Sequence, residues 1–241
     1  MSFELEKDMT DSIKNKLLDI VKSTNNMSVK DQYIYAYEFP VYYRMIDITI
    51  ASYCNIYNEF EESIKYQKLI RNLSADCFNI LVLISLKEKT SLQLIEKRLL
   101  IEKNHLKECI NKLEIQGLIK KVSKYSYKVT EWISILPNEL IAIELKLSKW
   151  QEALEQGIFN QRFAEISFVI LDKERIKNNK IVEKSYKESN VGLIYLLSDG
   201  TLEFRVIPNK NKNLNRYVNN FHKAKILKDF VTNIDKWKPI L

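Results

Sequence analysis

Glu144 and Lys146 close the run Ile141-Ala142-Ile143-Glu144-Leu145-Lys146. In an extended strand alternate side chains share a face, so this carboxylate and ammonium would stand about 6–7 Å apart on one side. A carboxylate binds a hard divalent cation through oxygen, and a neighbouring lysine positions or polarises a water or a phosphate oxygen. The three apolar residues before Glu144 predict a strand buried on both faces, where a charge persists only when paired or coordinated.

Such a site needs a second acid. Asp47 lies inside the apolar β run Met45-Ile46-Asp47-Ile48-Thr49-Ile50. Glu38 could add a third carboxylate, and Glu4 or Glu6 near the N-terminus a weaker one. Glu139, in Pro137-Asn138-Glu139, is a rival to Asp47 as metal ligand. Asp47 is preferred because a strand interior holds its side chain rigidly.

Those groups depend on the elements around them. Apolar residues Met9, Ile13, Leu17, Ile20 and Val21 recur at helical spacing over residues 4–23. Residues 33–38 and 44–53 read as two strands joined by a bend near Pro40. From about 56 to 118 the pattern is helical. Strands follow at 132–135 and 140–147, a helix from 150 to about 163, and strands at 166–171 and 192–197. Ser198-Asp199-Gly200 turns a hairpin into residues 201–207. Residues 172–190, rich in lysine and poor in apolar residues, read as a loop, and 212–237 as a basic helix or helix pair.

Between about 75 and 131 the helices are followed by two short β segments. Ser91-Leu92-Gln93-Leu94-Ile95-Glu96-Lys97-Arg98-Leu99 reads as one helix. Asn104-His105-Leu106-Lys107-Glu108-Cys109-Ile110-Asn111-Lys112-Leu113 reads as the next, capped by Asn104 and ended by Gly117. With Leu118-Ile119-Lys120-Lys121 beyond, this stretch resembles a winged helix-turn-helix domain of the MarR-like kind. The resemblance implies a recognition helix presenting Asn104, His105, Lys107, Asn111 and Lys112 to a major groove. It also implies phosphate contacts from a wing carrying Lys120, Lys121, Lys124, Tyr125 and Lys128.

The order helix, strand, Asp-bearing strand, Glu-x-Lys strand, helix, strand resembles the α-β-β-β-α-β core of the PD-(D/E)xK nucleases, over roughly residues 1–53 and 132–207. That resemblance implies an α/β (α+β) fold, a restriction-endonuclease-like mixed sheet flanked by helices, with Asp47, Glu144 and Lys146 as the motif residues. It implies Mg2+ or Mn2+ held by Asp47 and Glu144, and a glutamine, Gln156, on the helix behind the site. Here 96 residues lie between Asp47 and Glu144 and the literal Pro-Asp is absent. A winged helix inserted at a loop tip accounts for the separation. The domains expected are residues 1–55 and 132–241 as a nuclease-like core, with 56–131 inserted.

Bulk composition is compatible with this expectation. The chain has 241 residues, 46% apolar and 29% charged, with a net charge of +7. A basic balance suits a polyanionic partner, here DNA and in particular duplex DNA. Cys54, Cys77 and Cys109 lack metal-ligand spacing and read as reduced thiols, and the two histidines disfavour a zinc site. Four glycines leave no phosphate-cradling loop. No apolar run spans a bilayer and no leader stands at the start, so a cytoplasmic protein is expected. Cutting both strands of a duplex would ask for a homodimer. The expected activity is a DNA endonuclease. The alternatives are a DNA-binding transcriptional regulator on an inactive nuclease-like fold, or a protein-interaction module.

Overall fold

The computed structural model describes residues 3–24, 32–53, 61–131 and 136–240. The strand expected at 132–135 lies outside them. The chain divides into two units, residues 1–54, 138–214 and 236–241 in the first and 55–137 and 215–235 in the second.

The first unit is built on a mixed sheet, seven-stranded among the described residues, in the order β10-β1-β2-β6-β7-β8-β9. β1 (Gln32–Val41) and β2 (Arg44–Tyr53) form an antiparallel hairpin. Pro40 stays within β1 instead of interrupting it. β2 pairs antiparallel with β6 (Glu139–Lys146), which runs parallel to β7 (Ile166–Asp172), itself parallel to β8 (Gly192–Leu196). The edges are β9 (Leu202–Val206) and the short β10 (Lys238–Pro239).

Helices cover both faces. The expected N-terminal helix is two, α1 (Glu6–Ile13) and α2 (Leu17–Ser23), joined by a 3-10 turn at Lys14–Lys16. Its Met9, Ile13, Leu17 and Ile20 pack on Ile48, Ile50, Ile141, Ile143 and Leu145. The opposite face, with Val169, Leu171 and Leu193, takes α7 (Trp150–Asn160) and α8 (Asn179–Glu188). The lysine-rich stretch 172–190 is therefore not a loop. Val182 and Tyr186, one turn apart, give α8 a buried stripe, and the Tyr186 hydroxyl donates to the Trp150 carbonyl at 2.9 Å. Two apolar anchors suffice for a helix whose other faces are solvated.

The second unit contains α3 (Glu61–Arg71), α4 (Ala75–Ser85), α5 (Leu92–Leu99), α6 (Lys103–Ile115) and α9 (Arg216–Thr232). It also holds a three-stranded sheet in the order β3-β5-β4, from β3 (Thr90–Ser91), β4 (Ile119–Ser123) and β5 (Ser126–Val129). α4 is buried almost all round and forms the centre, and α9 packs on α3 and α4. The Ser91 hydroxyl accepts from Leu94 N at 3.2 Å to start α5. The cap of α6 is Glu102, not Asn104: its carboxylate accepts from Asn104 N and His105 N, both at 3.0 Å. An acid there also meets the positive end of the helix dipole. Gly117, at φ +70°, ends α6 in the left-handed conformation, with Leu118 N donating to Leu113 O at 3.0 Å.

Candidate functional site

β2 and β6 bring Asp47 and Glu144 together. Their ladder pairs Ile48 with Ile143, and one step further along the same register stands Asp47 opposite Glu144. Directly opposed residues of an antiparallel pair lie about 4.5–5.5 Å apart at Cβ, on one face. Sequence separation does not prevent that meeting: residues 55–137, which belong to the second unit, lie between the two strands in sequence.

Each acid has one oxygen engaged by the fold. Asp47 Oδ2 accepts from Leu145 N at 2.7 Å. Glu144 Oε1 accepts from Asn160 Nδ2 at 2.7 Å. Glu144 is 2% exposed, and it lies on the face covered by α7. Burial, then the Asp47 charge, pushes its carboxyl up to about 8, against the Asn160 hydrogen bond and the charges of Lys146 and Arg44. Asp47 is raised too, by burial first, although the Leu145 hydrogen bond and the Lys146 charge oppose the rise. Burial and their mutual charge thus make both acids hold a proton more tightly than free carboxyls would. Adjacent acids in a low-dielectric setting resist ionising together, and a cation between them would lower that cost.

Lys146 follows on the same strand, and its ammonium reaches Glu6 Oε2 of α1 at 3.2 Å. Burial lowers its basicity, but the Glu6 hydrogen bond and the charges of Glu6, Asp47 and Glu144 outweigh it, so the group is raised and stays an ammonium. Glu6 is thus the N-terminal acid at the site, at the lysine and not on the acid pair.

Other expected groups lie elsewhere. Glu38 is exposed at φ +51°, with no hydrogen bond or ion pair to Asp47 or Glu144 among the described residues. Gln156 lies one turn before Asn160, and its Oε1 is buried without a hydrogen-bond partner among the described residues. The amide that reaches Glu144 is Asn160. Glu139 begins β6, ion-paired to Lys210 at 2.7 Å. Five residues of strand put it roughly 16 Å from Glu144, too far to share a metal with it.

Sequence reasoning missed Asn160 and Arg44. Ala153, Gly157 and Asn160 are buried at i, i+4 and i+7, the sheet-facing stripe of α7. A polar residue on an otherwise small apolar stripe was the signal. Arg44, three residues before Asp47, lies with its guanidinium 4.8 Å from the Phe159 ring centroid.

The donor set suits Mg2+ or Mn2+ in part. Among the described residues no group of three or more His, Cys, Asp or Glu is placed to hold a metal. Mg2+ needs only one or two carboxylates when waters and a phosphate complete its shell. Asp47 Oδ1 and Glu144 Oε2 are the oxygens not engaged by Leu145 N or Asn160, and a cation there would compete with protonation of the pair.

In the second unit Asn104, His105, Lys107, Asn111 and Lys112 are all exposed on α6, and Lys120, Lys121, Lys124, Tyr125 and Lys128 on β4, β5 and the turn between them. His105 is engaged: its Nε2 lies 2.9 Å from Asp76 Oδ2, which first of all raises its basicity. Lys120 and Lys128 are direct cross-strand partners. Lys124 stacks on Tyr125 at 5.2 Å.

No family model matches this chain, and neither a curated protein nor a solved structure matches it. Among the described residues no helix is long and apolar enough to cross a membrane.

Proposed function

We propose that this chain is a metal-dependent DNA endonuclease that hydrolyses phosphodiester bonds, with its second unit as a winged-helix grip on duplex DNA. One observation carries the proposal: two acids almost a hundred residues apart in sequence meet inside a sheet with a lysine beside them. The element order around them, once the residues between β2 and β6 are set aside, is compatible with the α-β-β-β-α-β order of a PD-(D/E)xK core.

In this reading Asp47 and Glu144 would hold Mg2+ or Mn2+, which lowers the pKa of water and offsets charge on the transferring phosphoryl group. Asn160 fixes the Glu144 carboxyl in one rotamer, leaving its second oxygen for the cation. Glu144 must lose its proton when the cation binds, so occupancy rises with pH. Lys146, its ammonium held by Glu6, would orient the attacking water and stabilise a non-bridging phosphate oxygen. Cleavage of both strands of a duplex would require a homodimer.

The second unit supports a DNA-binding role with or without hydrolysis. Like charges placed directly opposite across a ladder repel, and Lys120 and Lys128 are so placed. An anionic backbone would relieve that repulsion. A transcriptional regulator on an inactive nuclease-like fold is therefore the second reading.

Supercoiled plasmid incubated with the protein and Mg2+ or Mn2+ tests the first. Nicked or linear product, lost in Lys146→Ala and Asp47→Ala, supports the nuclease. Intact plasmid with DNA binding retained supports the regulator.

A further inference from the structure

The β1–β2 hairpin ends in an aromatic pair beside the acids. Tyr42 and Tyr43 form its turn, 54% and 80% exposed. Tyr42 has φ +53°, a left-handed conformation that a bulky side chain rarely adopts. Local strain of this kind persists only where the surroundings enforce it. Two large rings projecting into water from a strained turn contribute little to the core.

They face Phe159. The Phe159 ring centroid lies 6.1 Å from that of Tyr42 and 5.9 Å from that of Tyr43. Two guanidinium groups join them: Arg44 and Arg162 stand 4.8 Å and 5.2 Å from the Phe159 centroid. Arg44 Nη1 is buried with no hydrogen-bond partner among the described residues. Phe159 precedes Asn160, which holds Glu144, and Arg44 is three residues from Asp47. The cluster borders the acid pair.

An apolar partner protein would not match two guanidinium groups in the patch, and the acids alone would repel an anion. Exposed rings alternating with guanidinium planes suit a flat base together with its phosphate, by stacking and charge. We infer that Tyr42, Tyr43, Arg44 and Arg162, backed by the buried Phe159, form a stacking platform for an unpaired nucleobase, so that the site takes nucleic acid with a splayed or single-stranded nucleotide next to the bond it cuts. This inference rests on the nuclease reading for the cut but not for the binding.

Short oligonucleotides carrying one 2-aminopurine, single-stranded or in a blunt duplex, would be titrated with the whole protein in Ca2+ and again in chelator. Their fluorescence reports base stacking, and anisotropy reports binding. Quenching by the wild type with the single strand but not the blunt duplex is expected. Tyr43→Ala, at a site 80% exposed and outside the core, should weaken single-strand binding about tenfold or more, while Tyr43→Phe retains it. Unchanged quenching and affinity in a Tyr42→Ala/Tyr43→Ala double variant would overturn the platform and leave the nuclease reading intact. Quenching lost in that variant, but with no cleavage by the wild type in Mg2+, would uphold the platform and overturn the nuclease. No quenching by the wild type would overturn the platform.

Discussion

Asn160 Nδ2 donates to Glu144 Oε1 across 2.7 Å, and both residues are buried. A neutral amide here fixes a carboxyl without neutralising it, so the acid remains available to a cation. Groups that orient a metal's carboxylates typically matter 10–100-fold in metal affinity or activity. Asn160→Ala should therefore raise the Mg2+ concentration for half-maximal cleavage by about that factor. Gln156→Ala should leave it unchanged. Metal titrations of the two variants check the pair.

The stability that Glu144 contributes should fall as pH rises. Folding lifts Glu144 from its ordinary 4.5 to about 8, so the folded chain keeps a proton that the unfolded chain releases. The stabilisation is complete below about pH 4.5 and is lost as pH climbs through about 8. Asp47, raised as well, acts in the same direction. His222, lowered to about 4 by burial, acts the opposite way up to about pH 6.5. The Glu144 contribution is therefore read as the wild-type urea midpoint minus that of Glu144→Gln, a difference that should fall as pH rises to about 8. Saturating Mg2+ should restore stability at the alkaline end, since a ligand that binds only the folded state stabilises it.

Glu6→Gln removes the acid that holds the Lys146 ammonium at 3.2 Å. Glu6 is 44% exposed, so the loss in stability should stay within about 1 kcal/mol. Lys146 would then be freed and less basic, since the Glu6 hydrogen bond and charge help to raise it. The alkaline limit of cleavage should move to lower pH, which a pH profile of single-turnover rates would reveal.

Lys128→Thr breaks the like-charged pair with Lys120. The variant should be more stable by about 0.2–1 kcal/mol in thermal or urea unfolding. It should also bind duplex DNA more weakly, with the salt slope reduced by about 1. Stability and affinity moving in opposite directions would mark Lys128 as a phosphate contact.

Much of the first unit could be read from local pattern. Apolar runs placed Asp47 and Glu144 inside strands, and the antiparallel pairing of those strands set the two side by side. The turn at Asn160 was harder, because helical spacing alone allows Gln156 or Asn160 to face the sheet. Packing decides it: a Cβ on Gly157 would approach Val191 Cγ1 to 2.7 Å, so α7 comes closest to the sheet along the Gly157 stripe. Asn160 lies on that stripe and Gln156 beside it. Composition misled at α8, where lysines outnumber the two buried anchors but do not oppose them. The cap of α6 was misassigned because Asn104 is a good cap by type, yet Glu102 reaches the same free amides from two residues earlier. Glu38 lies opposite Asp47 in the β1–β2 register, but its left-handed φ departs from strand geometry there and its side chain is exposed.

The central claim is that Asp47 and Glu144 together hold a divalent cation for phosphodiester hydrolysis. Cleavage of supercoiled plasmid in Mg2+ by the wild type, Asp47→Asn and Glu144→Gln measures it most directly, with folding of each confirmed by its thermal transition. The account predicts cutting by the wild type that chelator abolishes, and at least 100-fold slower cutting by each folded variant, since removing a group essential to charge stabilisation costs on the order of 10²–10³ in rate. Folded variants that cut DNA as fast as the wild type, or a wild type that leaves plasmid intact in both Mg2+ and Mn2+, would contradict it.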